Sequence, residues 1–480
     1  MKVPWLAQTE VYGGGPLRIT RISVEGLFGI FNHDIRMNLD ERMTIIHGLN
    51  GYGKTTILKL VNALFHRRYA DLRATPFREF RVELEDGSCL AVNRPGQPEA
   101  RAKSDRKSKR NRAIAIRLLR KGREVEKVEL NSPSPEEWEV MSTHYPTPDQ
   151  FVPGLVREGR ATWRFLPTNE EFSFEDVIDR FGEQLPQGMF KFERPQAEWL
   201  QQLQKSVKVR FIESQRLLRL AKVRRTHEYE TSTPALELSV AVHASDLAKA
   251  IQGKLAEYAT LSQSLDRTFP GRLVEHMQSG NTYQTDSIAQ LREKLNKLEE
   301  KRNRLQEAGL LDKQDDLRFQ VPEGTLQDPT LRLLPVYVTD VERMLSVFDD
   351  IAAKIDLLKQ IVNTRFSYKK VSIDKEKGFV FRTDDGQPLN PAHLSSGEQH
   401  MLVLFSELLF RVESNSLVMI DEPEISLHVS WQKQFLRDLQ GVTELASFDV
   451  LIATHSPQII SDRWDELTVE LQGAVTEQSV

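Results

Sequence analysis

Cysteine is almost missing. The 480-residue chain has one, Cys89, which excludes a disulfide framework and cysteine-rich zinc centres and suits a reducing compartment. Long apolar runs are missing too. None approaches the roughly 18 residues that a membrane-spanning helix needs, and residues 1–16 lack the apolar core of a secretory signal. Neither charge is in large excess: 65 Lys and Arg against 69 Asp and Glu leave a net charge of −4. That balance excludes a histone-like nucleic-acid coat but leaves room for a local basic patch. The expectation is a soluble, cytoplasmic chain without membrane contact, long enough for two or three domains.

Residues 1–16 read as an arm ending in Gly13-Gly14-Gly15-Pro16. From Leu17 to His47 the chain alternates in strand fashion (ITRISVEGL, FNHDIRMNL, MTIIH). After Gly53 the period turns helical, with Ile57, Leu60, Val61 and Leu64 on one face. Strands follow at FRVELED and SCLAVNR, with a turn at Asp86-Gly87. Between 217 and 365 the text is helical. Leu247, Ile251, Tyr258, Leu261 and Leu265 recur at heptad spacing, interrupted by Lys254. Ile288, Leu291, Leu295, Leu298 and Leu305 do the same around Arg302. Each run spans about three heptads, and a 24-residue helix is roughly 36 Å long, which predicts a short arm and not a rod. A third helix is expected over 337–364, then a hairpin, KKVSID and FVFRT.

Four motifs carry the chemistry. The strand MTIIH leads into Gly48-Leu49-Asn50-Gly51-Tyr52-Gly53-Lys54-Thr55 and then a helix, the strand–loop–helix setting of a phosphate-binding loop. Its glycines let backbone N–H groups curl around a phosphate at a helix N-terminus. Lys54 is a point charge for β- and γ-phosphates, and the Thr55 hydroxyl is a Mg²⁺ ligand. The run Ser416-Leu417-Val418-Met419-Ile420-Asp421-Glu422 reads as a buried strand that delivers two carboxylates to a sheet rim. Asp421 there would join a Mg²⁺ shell, and Glu422 would act as general base on a water. A second apolar run, Asp449 to Thr454, ends in His455, which is either structural or a γ-phosphate sensor. Leu394-Ser395-Ser396-Gly397-Glu398-Gln399 precedes an amphipathic helix. It reads equally as an anion cradle or as a capping box between Ser395 and Glu398.

Together and in this order the motifs resemble the ABC-type ATPase head of SMC proteins, RecF-like repair ATPases and OLD-family proteins. The resemblance covers residues 17–66 and 366–471. It implies an α/β P-loop NTPase head of mixed sheet and helices with a short helical, coiled-coil insertion. It also implies ATP and Mg²⁺ as ligands. The domains would then be an arm (1–16), a first lobe with Walker A and a basic insertion at 101–123 (17–216), a helical arm (217–365) and a second lobe (366–480). In this family 48–55 is Walker A, with Gly48, Asn50, Gly51, Gly53, Lys54, Thr55 and Thr56 around the nucleotide. LSSGEQ is the signature, with Ser395, Ser396, Gly397 and Glu398 facing the nucleotide of another head. VMIDE is Walker B, and His455 is the switch histidine. Phe211 to Arg216 looks like the glutamine loop, making Gln215 a Mg²⁺ or water ligand.

Two departures locate a branch. Ser396 stands where a signature glycine is commoner, and Pro423-Glu424-Ile425-Ser426-Leu427-His428 replaces a D-loop that usually ends in Asp. The E-P-E-x-x-L-H pattern looks like the OLD-like branch, including ATPase subunits of anti-phage systems of the PARIS type first and the Septu type second. One copy of each motif implies at least a homodimer, or a larger ring, for complete ATP sites. The resemblance implies a switch controlling a separate Toprim- or HNH-type nuclease; Asp462, Asp465, Glu466, Glu470 and Glu477 after His455 read as one short strand and a tail and not as a two-metal cluster. The alternative is a RecF- or SMC-like DNA-binding ATPase in repair. Residues 101–123, with eleven Lys/Arg and one acid, offer Arg106, Lys107, Lys109 and Arg110 either as a contact for DNA or a phage trigger protein, or as a solvated loop.

Overall fold

Alternation in 19–47 and unbroken apolar runs at 417–420 and 450–453 call for two kinds of strand, half-buried and fully buried, and both occur. The computed structural model describes residues 16–93, 114–130, 148–159, 162–166, 170–174, 177, 181, 185, 197–213, 218–220, 236–278, 288–312, 328–425, 427–460 and 464–471. They form two compact units, Met1–Glu237 with Val412–Val480, and Leu238–Arg411.

In the first unit β1 (Ile19–Leu27), β2 (Phe31–Arg36), β4 (Glu79–Leu84), β5 (Ser88–Asn93), β6 (Ile114–Arg120) and β7 (Arg123–Leu130) make an antiparallel sheet in the order β2-β1-β4-β5-β6-β7. β2 alternates strictly between buried and exposed, as a sheet with one wet face requires. The other main sheet is parallel throughout, in the order β11-β17-β18-β3-β19. It is built from β3 (Met43–His47), β11 (Val209–Ile212), β17 (Leu417–Asp421), β18 (Asp449–Thr454) and β19 (Thr468–Glu470). β17 and β18 are buried at every position, the signature of strands covered on both faces. Helix α1 (Lys54–Phe65) buries the expected face, Ile57, Leu60, Val61 and Leu64, in one core with Ile22 and Val24 of the antiparallel sheet and Met419 and Leu451 of the parallel one. Each such side chain contributes about 1.5–3 kcal/mol when fully buried.

Short helices α2 (Tyr69–Ala74) and α3 (Glu198–Ser206) flank α1, with the Gln204 amide donating to the Leu64 carbonyl at 2.6 Å. A small sheet of β8 (Leu155–Arg157), β9 (Thr162–Phe165) and β10 (Glu170–Ser173) has its own core around Trp163. Two three-residue strands, β12 (Leu218–Leu220) and β13 (Leu236–Leu238), follow. A bidentate pair from Arg18 to the buried Asp449, at 2.6 and 2.7 Å, fixes the first residue of β18.

In the second unit α4 (Ser239–Gln278) runs for 40 residues, roughly 60 Å, well beyond the short helix expected. The apolar seam stops at Leu265, but the helix goes on because Arg272 pairs with Asp340 of α6 (Asp328–Ser346). α5 (Ile288–Glu307) lays Leu291, Leu295 and Leu298 against Leu334 and Val338 of α6. The single helix expected over 337–364 is in fact two, α6 and α7 (Asp349–Asn363). Phe348 breaks it: its ring is fully buried 5.4 Å from that of Tyr258, and its amide turns back to the Leu345 carbonyl at 3.2 Å. The expected hairpin is present as β14 (Lys369–Asp374) and β15 (Gly378–Thr383), extended by β16 (Pro388–Leu389).

Helix α8 (Ser396–Phe410) completes the second unit. Residues 366–411, which the motif order groups with 412–480, thus share a unit with the helical arm. The cause is packing. Gly378 comes so near the Ala244 backbone of α4 that a Cβ would lie 2.0 Å from its carbonyl oxygen, and Glu407 and Arg411 join His243 and Asp246 of α4 in one polar network. The remaining helices, α9 (Val429–Ala446), α10 (Pro457–Ile460) and α11 (Trp464–Leu467), belong to the first unit.

Candidate nucleotide site

Because β17, β18 and β3 are adjacent and parallel, their C-terminal ends share one sheet edge. Registers align Asp421 with Ala453 and Thr454 with His47. The residues that follow, Glu422, His455 and Gly48, therefore emerge together where ligands bind in open α/β sheets.

The loop after β3 turns on Gly51 and Gly53, at φ +89° and +87°. Gly53 is the left-handed N-cap of α1, and a Cβ there would lie 2.5 Å from Leu27 Cδ2. Gly53→Ala is expected to cost about 2 kcal/mol or more through left-handed strain and overpacking, read as a lower urea midpoint. The outer wall is built by His33, whose Nε2 lies 2.8 Å from the Tyr52 carbonyl, and by Phe31, 5.5 Å from the Tyr52 ring. Leu49 and Asn50 are exposed at the loop tip, and Thr56 is half-buried in the first turn of α1.

Lys54 is 5% exposed, and its Nζ donates to the Gly48 and Leu49 carbonyls at 2.6 and 3.2 Å. Burial pushes its pKa down, against the upward pull of Glu422, Glu424 and Asp421. Thr55 Oγ1 donates to Asp421 Oδ1 at 2.9 Å. Burial raises the Asp421 pKa and the Thr55 hydrogen bond lowers it, while Glu422 and Glu424 add to the rise. A hydroxyl and a carboxylate side by side are the hard oxygen donors that Mg²⁺ takes, so the residues fit that ion. Glu422 sits at φ +44°, a left-handed conformation costing about 1–2 kcal/mol for a non-glycine residue. Its amide is held by the Ala453 carbonyl at 2.8 Å. His455 Nδ1 lies 3.8 Å from Glu422 Oε1 and 3.3 Å from Glu424 Oε1.

A model of the AAA ATPase domain family matches residues 18–460. The chain belongs to that family. Among curated proteins, Protein ea59 of Escherichia phage lambda is 30% identical over 108 residues, 22% of this chain and 20% of ea59. The chain thus matches only about a fifth of that relative's length. Among solved structures, the Smc head domain of Pyrococcus furiosus, with an extended coiled coil and bound to the C-terminal domain of ScpA, is 11% identical. It aligns over 93% of this chain and 91% of that one, with a TM-score of 0.30. The SMC head of Thermotoga maritima is also 11% identical, over 92% and 91%, with a TM-score of 0.28.

In this AAA-family chain the first unit gathers Gly48, Gly51, Gly53, Lys54, Thr55, Asp421, Glu422 and His455. Ser395, Ser396, Gly397 and Glu398 belong to the second unit. There Ser395 caps α8. Its Oγ accepts from the Glu398 amide at 3.4 Å, and Glu398 Oε2 accepts from the Ser395 amide at 2.7 Å. The capping box is therefore real. Glu398 is buried and also receives Lys369 Nζ at 2.8 and 3.0 Å, so it holds its own turn, while Ser395 and Ser396 are exposed. Gln215 and Arg106, Lys107, Lys109 and Arg110 lie outside the described residues.

Burial alone would raise the Glu398 carboxyl, but Lys369 and Ser395 outweigh it and hold it below its ordinary value. A depressed carboxylate contributes stability above its unfolded pKa, and that stability is lost as pH falls through the folded one. Lys369→Met should therefore lower the urea midpoint at neutral pH, and the gap from the natural chain should narrow as pH falls through the depressed Glu398 pKa.

Motif reading picked out neither Glu424, Lys369 nor Gln432 as site residues. Glu424 was visible only as the second acid of E-P-E, and the other two carry no local signal. Among the described residues no three His, Cys, Asp or Glu side chains form a metal-binding cluster, and no helix is long and apolar enough to cross a membrane.

Proposed function

We propose that the chain binds and hydrolyses ATP as the switch subunit of a defence complex, with each ATP held between two copies. The observation that carries the ATPase part is the convergence of Lys54, the Thr55–Asp421 pair at 2.9 Å, Glu422 and His455 on one sheet edge. Lys54 would turn from the Gly48 carbonyl to the β- and γ-phosphate oxygens. Thr55 and Asp421 would hold Mg²⁺, whose charge offsets that of the phosphates. Glu422 orients the attacking water and accepts its proton, and His455 senses the γ-phosphate. The exposed Ser395–Ser396 turn of a second copy closes the site, because one chain has a single copy of each motif and both cradles are helix N-termini.

The control of a separate Toprim- or HNH-type nuclease, and the cytoplasmic setting, rest on the likeness of E-P-E-x-x-L-H to PARIS- and Septu-type subunits. The test is to purify the chain with the product of its neighbouring gene, weigh the complex with and without ATP, and measure turnover with and without duplex DNA. ATP-dependent capture or release of a nuclease supports the switch. DNA-stimulated turnover with no associated effector supports the repair reading instead.

A further inference from the structure

One buried carboxylate beside the site has no part in that chemistry. Glu424 is 8% exposed. Its Oε1 accepts from the Thr454 hydroxyl at 2.7 Å and from the His455 amide at 3.1 Å, and the His455 ring nitrogen Nδ1 lies 3.3 Å from the same oxygen. Its Oε2 is buried without a hydrogen-bond partner among the described residues. A second strut runs parallel. The Gln432 amide of α9 donates to the backbone carbonyls of Glu424 and Leu427 at 3.4 and 3.1 Å and accepts from the Ser456 hydroxyl at 3.1 Å. Both flanks of His455 are thereby tied to segment 424–427.

We propose that Glu424 is a positioning residue that sets which nitrogen His455 presents to the nucleotide. Two donors independent of the ring, the Thr454 hydroxyl and the His455 amide, fix Oε1 in place. With Nδ1 3.3 Å from that fixed acceptor, the ring would direct Nδ1–H to it and keep Nε2 for the nucleotide. Glu422, 0.5 Å farther from Nδ1 (3.8 against 3.3 Å), stays available for water. A ring nitrogen's role is set by the hydrogen bond its sister makes, so a carboxylate buried behind the ring governs the atom in front. Leaving Oε2 unsatisfied in the interior is costly, and such a cost marks sites where position matters more than stability. The inference rests on His455 as the phosphate sensor of the proposed function.

The tautomer of His455 decides it without reference to turnover. In ¹⁵N-histidine spectra of the full chain, with the His455 signals found by comparison with His455→Gln, the neutral ring should carry its proton on Nδ1. In Glu424→Ala it should move to Nε2. An Nε2–H ring in the natural chain, or an unchanged tautomer in Glu424→Ala, overturns the proposal even if ATP is hydrolysed normally. The natural-chain spectrum suffices if Glu424→Ala does not fold. In turnover, Glu424→Ala should lower kcat about tenfold or more while KM for ATP stays within about twofold. Glu424→Gln, whose carbonyl accepts the same hydrogen bonds, should recover most of the loss. On a His455→Ala background Glu424→Ala should cost nothing further. A full additional loss there shows that Glu424 acts by some route other than His455.

Discussion

Glu422→Gln is expected to bind ATP as the natural chain does and to hydrolyse it about 10²–10⁴-fold more slowly, the range a positioned general base contributes. The substitution keeps shape and hydrogen-bonding capacity and removes only the ability to take a proton. The backbone at Glu422 is at φ +44°, and its amide is held by Ala453. A chain that keeps a left-handed non-glycine residue at the end of a buried strand spends stability to aim that side chain. Gln at this position inherits the same strain and aim, so its urea midpoint should match the natural one and the loss should appear in kcat alone. Single-turnover phosphate release, measured beside equilibrium binding of a fluorescent ATP analogue, separates the two steps. Normal turnover in Glu422→Gln removes Glu422 from the role of base.

Lys54→Ala has its effect earlier, at binding. The ammonium is the one cation placed inside the loop, already desolvated and pulled by three carboxylates. Removing such a charge-assisted donor typically costs about 3–4 kcal/mol, a hundredfold or more in affinity. The fold should not suffer. Lys54 forms no ion pair among the described residues, and its hydrogen bonds go to the Gly48 and Leu49 carbonyls. Thermal melting reads both effects. Without ATP the two chains should melt alike. At 100 times the natural Kd, ATP should stabilise the natural chain by about 2.7 kcal/mol and Lys54→Ala hardly at all. An ATP shift of equal size in the variant would place the triphosphate elsewhere.

The sheet edge was legible in the sequence because it is written locally. Each of β3, β17 and β18 is an apolar run that stops at a chemically distinctive residue, and Gly53 stands where α1 begins in a left-handed turn with no room for a Cβ beside Leu27. The break at Phe348 was not legible, since apolar spacing continues through both helices and only the packing of Phe348 against Tyr258, 90 residues earlier, divides them. The length of α4 was hidden for a related reason. Beyond Leu265 it is held by the Arg272–Asp340 pair, which no periodicity reveals. Glu424 was overlooked because its partners, Thr454 and His455, lie some thirty positions away and meet it only after β17 and β18 are paired.

Whether one nucleotide needs two chains is a question of mass. Glu422→Gln, weighed in solution with ATP and Mg²⁺, should move from the 55.2 kDa of a single chain to at least twice that mass, and it should fall back when ATP is withdrawn. Adding Ser395→Arg, which crowds the exposed turn before α8, should abolish the shift while leaving ATP bound. A single-chain mass at saturating ATP, together with unimpaired hydrolysis by Ser395→Arg, would contradict the shared site.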